Sequence, residues 1–149
     1  MSIIFSQDST LVISGQFNNL VIDTKNPSIE LVNPNGLENF NSNETINVEW
    51  LSSDDSFTQE PFSIYLSQSP GNEFGLLLNN IENTNTIPIE LPDINTNFAM
   101  MKILAVDYFG NQSEDISDNY FIIGNPSDYS NTDSTLVVSA NLQNLEIDT

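Results

Sequence analysis

Apolar and polar residues alternate along most of the chain, and clusters of Asn, Asp, Ser, Gly and Pro interrupt the alternation. A period of two is typical of a β-strand with one face in a core and the other in water. No long stretch combines helix formers with the helical spacing of i, i+3 and i+4. β-Branched and aromatic residues dominate the apolar set, which also favours strands. The pattern therefore predicts an all-β protein.

The central part of the chain, residues 26–124, contains about seven such segments, which is the spacing of a β-sandwich. Asn-Pro-Asn-Gly at residues 33–36 and Ser-Pro-Gly at residues 69–71 are predicted turns. The phase is clearest in TINVEW (45–50) and FSIYLSQ (62–68). Alternation predicts that these segments place the following side chains in the core: Ile46, Val48, Trp50, Phe62, Ile64 and Leu66.

The segment MKILAVD, residues 101–107, is apolar on both faces of the predicted strand. Met101 and Ile103 lie on one face, and Leu104 and Val106 lie on the other. A strand that is apolar on both faces is normally covered on both. We predict that a terminal segment, from this chain or from a neighbour, packs over Leu104 and Val106 or extends the sheet edge.

Nearly the same phrase stands at both ends of the chain. Residues 8–24 read DSTLVISGQFNNLVIDT and residues 133–149 read DSTLVVSANLQNLEIDT, with eleven identical positions. A phrase repeated at a domain-sized interval indicates a modular chain, a tandem array, or a subunit with two equivalent ends. Each copy is predicted to form two short strands with a brief connection, TLVIS with NLVID and TLVVS with NLEID. The predicted organisation is a hairpin repeat at 1–25, a sandwich at 26–124, and a linker with a second hairpin repeat at 125–149.

The two copies differ informatively, because Val21 in the first is matched by Glu146 in the second. Alternation then places position 21/146 in water and its neighbours inward. We predict that the inward residues form an assembly interface. If equivalent ends of neighbouring copies join head to tail, the copies form a ring or a filament. The simpler interpretation is duplication of a stable hairpin without an assembly role. The predicted interface residues are Leu11, Ile13, Leu20, Ile22, Leu136, Val138, Leu145 and Ile147, together with Leu104 and Val106.

The central region resembles the Ig-like domain family of Ser/Thr-rich cell-wall anchored proteins and bacterial surface-protein repeats. The resemblance covers roughly residues 28–123 and rests on PNGLENF (34–40), TINVEW (45–50), SIYLSQSPGNEFGLLLNNI (63–81), MKILAVD and SDNYFII (117–123). Leu37 stands where the family has Gly, and Phe40 where it has Trp. The resemblance implies an Ig- or fibronectin-III-like antiparallel sandwich in a displayed, non-enzymatic spacer or binding module. It supplies no catalytic residues.

The formal net charge is -19, from 21 acidic residues against Lys25 and Lys102, and there is no His and no Cys. Such a chain repels phosphate backbones and anionic lipids, so neither nucleic acid nor membrane is an expected partner. Without His, a nucleophilic triad lacks its usual base. Without Arg or a Gly-rich loop with Lys, the chain lacks the basic groups that bind phosphate in phosphoryl transfer. We therefore expect no enzyme activity.

Calcium is the one cofactor that the acidic composition raises. Asp54 with Asp55, or Asp107 with a group comprising Glu114, Asp115 and Asp118, could cluster hard oxygen ligands. Neither group fits the EF-hand spacing. The favoured interpretation is a solvated acidic loop without a cofactor, and weak Ca²⁺ binding stays open.

These observations favour a structural protein of an outer surface, either a virion decoration or fibre protein or a surface filament subunit. Partners would be further copies or neighbouring array modules. The start MSIIFSQDST lacks a signal-peptide pattern, which favours the virion among extracellular settings. The alternative function is a carbohydrate- or receptor-binding adhesin module, which exposed aromatics beside polar loops would favour. Trp50 is expected in the core, whereas Tyr65 and Tyr108 are out of phase and expected at the surface.

Overall fold

Two β-sheets form the body of the protein in a computed structural model that describes residues 2–5, 11–14, 21–71 and 73–125. None of these residues lies in a helix, which confirms the all-β prediction. The strands are β1 Ser2–Phe5, β2 Leu11–Ser14, β3 Ser28–Asn33, β4 Asn39–Phe40, β5 Thr45–Ser53, β6 Phe57–Ser67, β7 Gly75–Ile81, β8 Thr86–Glu90, β9 Thr96–Asp107, β10 Gln112–Ile116 and β11 Phe121–Ile123.

The larger sheet has the order β4-β11-β9-β6-β7, with β10 also paired to β9, and the smaller sheet has the order β3-β5-β8. The pairings are antiparallel, apart from the parallel pairing of β11 with β4. Side chains from both sheets form one buried cluster, so the two sheets pack face to face. This arrangement confirms the predicted β-sandwich.

The core follows the alternation of the sequence. β5 buries every second residue from Ile46 to Trp50, and β9 buries Met101 and Ile103 while their neighbours stay partly exposed. The Trp50 and Phe62 rings meet edge-on, with centroids 5.2 Å apart. Predicted core residues that the structure buries are Ile46, Val48, Trp50, Phe62, Ile64, Leu66, Met101 and Ile103.

The longest strand, β9, joins the two ends of the sandwich. At its first residue, Thr96 pairs with Ile123, just before the described chain leaves the sheet. At its last residue, Asp107 lies beside the segment that precedes β3. Eleven steps of roughly 3.3 Å separate these ends by about 36 Å. We call the Asp107 end the entry end and the Thr96 end the exit end, because the chain enters the sandwich at the first and the described residues end at the second.

The strand pairing predicted for the first repeat, TLVIS with NLVID, is wrong. Leu11–Ser14 is a strand, as predicted, but it pairs with Ser2–Phe5, in the register Ser2↔Ser14 to Phe5↔Leu11. Residues 21–27 form no strand, and residues 15–20 lie outside the described part of the chain. The repeat therefore supplies one strand of the hairpin, and a segment before the repeat supplies the other.

Candidate functional site

The last residues of the first repeat are docked against the entry end of the sandwich. Ser56 donates from its hydroxyl to Oδ2 of Asp23, at 2.6 Å. Asn111 donates from its side-chain amide to the Asp23 carbonyl at 3.1 Å. These two bonds come from the β5–β6 and β9–β10 loops, so both loops hold the same residue of the incoming segment.

The β9–β10 loop is itself ordered by Asp107. Its Oδ1 accepts from the backbone N–H groups of Phe109 and Asn111, at 2.9 and 2.8 Å, and its Oδ2 accepts from the Asn111 amide at 2.7 Å. Asp107 is 4 % exposed. Burial of a carboxylate is tolerated where several donors satisfy it, as they do here. The bonds fix the orientation of Asn111 toward Asp23.

Three carboxylates meet at this end. Asp23, Asp54 and Asp107 each place an oxygen within 4.8 Å of the other two. Asp54 also accepts from the Ser56 backbone N–H at 2.7 Å. We call these five residues, Asp23, Asp54, Ser56, Asp107 and Asn111, the entry cluster.

Hydrogen bonding sets the electrostatics of Asp23. The Ser56 hydroxyl is the largest influence that holds the pKa of this carboxyl below its ordinary value, and the Lys25 backbone N–H adds to it. Lys25 donates to Oδ1 at 2.9 Å, and its charge acts in the same direction. Donors to the ionised form stabilise the negative charge. Asp23 is therefore held as a carboxylate by the contacts that dock it.

The predicted calcium groupings differ from the arrangement found. Asp54 and Asp107 lie together, whereas the sequence analysis assigns them to separate groups. Asp23 lies with them, although it is not among the ligands predicted from the sequence. The other predicted ligands make separate contacts: Glu114 pairs with Lys102, Asp115 accepts from Leu31 N–H, and Asp118 accepts from Asn35. The grouping of Asp107 with these three is thus wrong. The repeat of the IDT ending was the one sequence signal that could have drawn attention to Asp23.

The exit end is also pinned. Asn125 donates from its backbone N–H to Oδ1 of Asn95 at 2.9 Å, and Gly124 donates to the Phe40 carbonyl at 2.8 Å. Gly124 has φ +85°, and a Cβ on it would overlap Oδ1 of Asn95. Only glycine fits both the close approach and the left-handed backbone. Asn125, the last described residue, is thus held in a fixed place, opposite the end at which the chain enters the sandwich.

The outer face of β9 carries the second part of the predicted interface. Leu104 and Val106 are half-buried, as are Met100 and Lys102 in the same row. Lys102 lies within 3.1 Å of Glu114, and its ammonium is 5.0 Å from the Tyr65 ring centroid. A paired charge and a cation–π contact leave this face nearly neutral.

The outer face of the smaller sheet differs in charge. Its outward residues include exposed Glu30, Glu49 and Glu90, one from each strand. The charge of the described part is thus unequally distributed, with an acidic face on one sheet and a nearly neutral, partly apolar face on the other. Association is less opposed by charge on the neutral face.

The remaining interface residues are placed only in part. Leu11 and Ile13 lie in β2, Leu20 lies outside the described residues, and so do the four residues of the second repeat, Leu136, Val138, Leu145 and Ile147. Ile22 is 47 % exposed, so the prediction that alternation turns it inward is wrong for this chain by itself. Tyr108 is 76 % exposed, as predicted, and Tyr65 is half-buried.

Comparison of the chain with protein-family models, with curated proteins and with solved structures finds no match. The resemblance to the Ig-like family therefore stays a prediction. Among the described residues the structure contains no helix that is long and apolar enough to cross a membrane.

Proposed function

We propose that this protein is a non-enzymatic structural module of an outer surface, a virion decoration or fibre protein or a surface filament subunit. It associates with further copies of itself through its terminal repeats. The observation that carries this proposal is the position of the repeats. The first ends at Thr24, at the entry end, and the second begins at Asp133, shortly after the exit at Asn125. One copy of the phrase immediately precedes the entry end in the sequence and the other follows the exit end, an order that suits head-to-tail extension.

The entry cluster supplies the chemistry of the joint. Asp23 is held by Ser56 and Asn111, and the residue that corresponds to it in the second repeat is Asp148. The proposal is that Asp148 of one copy takes the place of Asp23 on the next. Exchange of equivalent segments joins subunits at low cost, since the hydrogen bonds that break within one copy form again between copies. Repeated head to tail, such a joint gives a ring or a filament.

The neutral outer face of the larger sheet provides apolar area for the same assembly. Leu104 and Val106 lie on the outer face of β9, near the end of the strand at Asp107, so they adjoin the entry end. The repeats are rich in apolar residues, as at Leu11 and Ile13 in β2. Burial of the outer face of β9 against a neighbouring copy would favour association by roughly 25 cal/mol per Å² of apolar area removed from water.

Charge opposes this association. Every copy carries a formal charge of -19, so copies repel at low ionic strength. Salt shortens the Debye length to about 8 Å at physiological ionic strength and weakens the repulsion, whereas it leaves apolar contacts in place. Self-association that strengthens with salt is therefore the signature of this proposal.

Sedimentation velocity and small-angle scattering at low and high salt test it. The full chain should form elongated oligomers at high salt and high concentration, and a chain without residues 133–149 should remain monomeric. Leu104→Lys should also weaken assembly, whereas Leu51→Lys should not, because Leu51 is 58 % exposed on the acidic outer face of the smaller sheet. Fluorescence of Trp50 verifies that each variant is folded. Monomers of the full chain under all conditions would contradict the proposal.

A further inference from the structure

A cleft lies at the exit end, separate from the entry cluster. It encloses about 460 Å³ between the end of β6 and the start of β9. Its lining includes Gln68, Asn95, Asn97 and Phe98. Clefts of roughly 300–1,000 Å³ are the usual size of small-molecule sites.

The chemistry of the lining is unusual for this chain. Amide and hydroxyl groups line the cleft together with Ile94 and Phe98, and none of the lining residues that the structure describes carries a charge. The chain as a whole has 21 acidic residues among 149. A cleft without carboxylates does not attract a cation, and one without lysine does not attract an anion. Carboxamides offer both donors and acceptors, which match the hydroxyl groups of a neutral polyol.

The backbone of the cleft is held in place. The Thr96 hydroxyl donates to the Gln68 carbonyl at 2.6 Å and accepts from the Phe98 N–H at 3.0 Å. By contrast, the side-chain amides of Gln68 and Asn97 make no hydrogen bond to any residue that the structure describes. A fixed backbone that presents amides to solvent lowers the entropy cost of binding a ligand.

An aromatic pair borders the cleft. Phe98 is 46 % exposed and Tyr120 is 40 % exposed, and their rings meet edge-on at 5.5 Å between centroids. Leu37, which is 84 % exposed, is held next to Tyr120, because its backbone N–H donates to the Tyr120 carbonyl at 2.9 Å. Leu37 has φ 74°, which is costly for a bulky residue. A pyranose ring has an apolar C–H face that can pack on such a platform.

We propose that the exit-end cleft binds a neutral saccharide, with one sugar face on the Phe98 ring and its hydroxyl groups on the amides of Gln68 and Asn97. This inference is independent of the assembly proposal, because it uses neither the repeats nor the entry cluster.

The test is an NMR titration of the full chain with neutral oligosaccharides of glucose, galactose and mannose at millimolar concentrations. At least one should shift the side-chain amide signals of Gln68 and Asn97. Phe98→Ala should weaken the binding at least tenfold. The matched control is Tyr108→Ala, since Tyr108 and Phe109 form a similar exposed edge-on pair, 5.3 Å between centroids, at the entry end.

Several results would overturn the proposal. One is that no saccharide in the panel shifts the two amide signals. Another is that Tyr108→Ala weakens binding as much as Phe98→Ala, which would show adsorption to exposed rings in general. Asn97→Ala provides an independent arm, because the Asn97 side chain makes no hydrogen bond within the described part of the chain. Binding unchanged in Asn97→Ala would contradict the assigned amide contact.

Discussion

The hydroxyl of Ser56 donates a 2.6 Å hydrogen bond to Oδ2 of Asp23, a residue 33 positions earlier in the chain. This bond ties the end of a repeated phrase to a loop of the sandwich. The end of the phrase, at Asp23, is consequently attached to the sandwich.

Loss of this bond should loosen the entry segment without unfolding the sandwich. In Ser56→Ala we expect faster hydrogen exchange at the Lys25 amide, which donates to Asp23, and a melting temperature lower by a few degrees. Ser53→Ala is the control, since Ser53 is exposed at the end of β5. Equal exchange rates at Lys25 in the wild type and Ser56→Ala would contradict the assigned role.

Acid should weaken the same contact. The pKa of Asp23 is below its ordinary value in the folded chain, chiefly because Ser56 donates to it. A lowered folded pKa means that the stabilisation is complete above the unfolded value of about 3.9 and is lost as pH falls through the lower folded value. The difference in stability between wild type and Asp23→Asn should therefore shrink on acidification below about pH 4. Parallel stability curves through this range would disprove the linkage.

Neutralisation of one carboxylate in the entry cluster should relieve repulsion. Asp23, Asp54 and Asp107 each place a carboxylate oxygen within 4.8 Å of the other two. We expect Asp54→Asn to melt at a higher temperature than wild type in low salt with a chelator present, since the Asn carbonyl still accepts from Ser56 N–H. The gain should fall as salt is added. A lower melting temperature in chelator would contradict the repulsion argument.

A calcium titration of the wild type tests for weak Ca²⁺ binding at Asp23, Asp54 and Asp107. Thermal melts with and without Ca²⁺ measure it directly, because a ligand that binds the folded state raises the melting temperature. No change at millimolar Ca²⁺ would remove the calcium hypothesis.

Two glycines with similar backbone angles should respond differently to substitution. Gly71, at φ +72°, has no atom within 4 Å of an added Cβ, so Gly71→Ala should cost about 1 kcal/mol for the left-handed backbone. Gly124, at φ +85°, would place its Cβ against Asn95 Oδ1 and 2.7 Å from the Ile94 carbonyl. Gly124→Ala should therefore cost about 2–4 kcal/mol in total. Equal losses in chemical denaturation would show that the exit turn is not close-packed.

Adjacent residues of β9 should separate stability from assembly. Ile103 is fully buried, so Ile103→Ala should lower the free energy of unfolding by about 2–5 kcal/mol. Leu104 is half-buried on the outer face, so Leu104→Ala should cost the isolated chain less but reduce self-association at high salt. Denaturation followed by Trp50 fluorescence and sedimentation give the two quantities. A larger stability loss for Leu104→Ala would reverse the assignment of the faces.

Most strands of the sandwich could be predicted from the sequence, because one face of each strand is buried in the core and the other is more exposed. Ile46, Val48 and Trp50 are buried in the predicted phase, and so are Met101 and Ile103. The pairing of the N-terminal hairpin was not readable. Leu11–Ser14 is apolar at its first three positions, a run that would suit several partners, and the strand before it, Ser2–Phe5, supplies the register found. Local periodicity specifies a strand and its faces, but not its neighbour.

The chain itself determined the class of the fold, the inward faces of its main strands and the repetition of its ends, because these depend on the order of apolar residues and on identity between segments. The tertiary structure decided which polar groups meet. Asp23, Asp54 and Asp107 come from three separate parts of the chain, as do Gln68, Asn97 and Tyr120 at the other end. Such groupings arise from the packing and connection of the two sheets, which bring distant loops to one end of a sandwich, and no local pattern encodes that proximity.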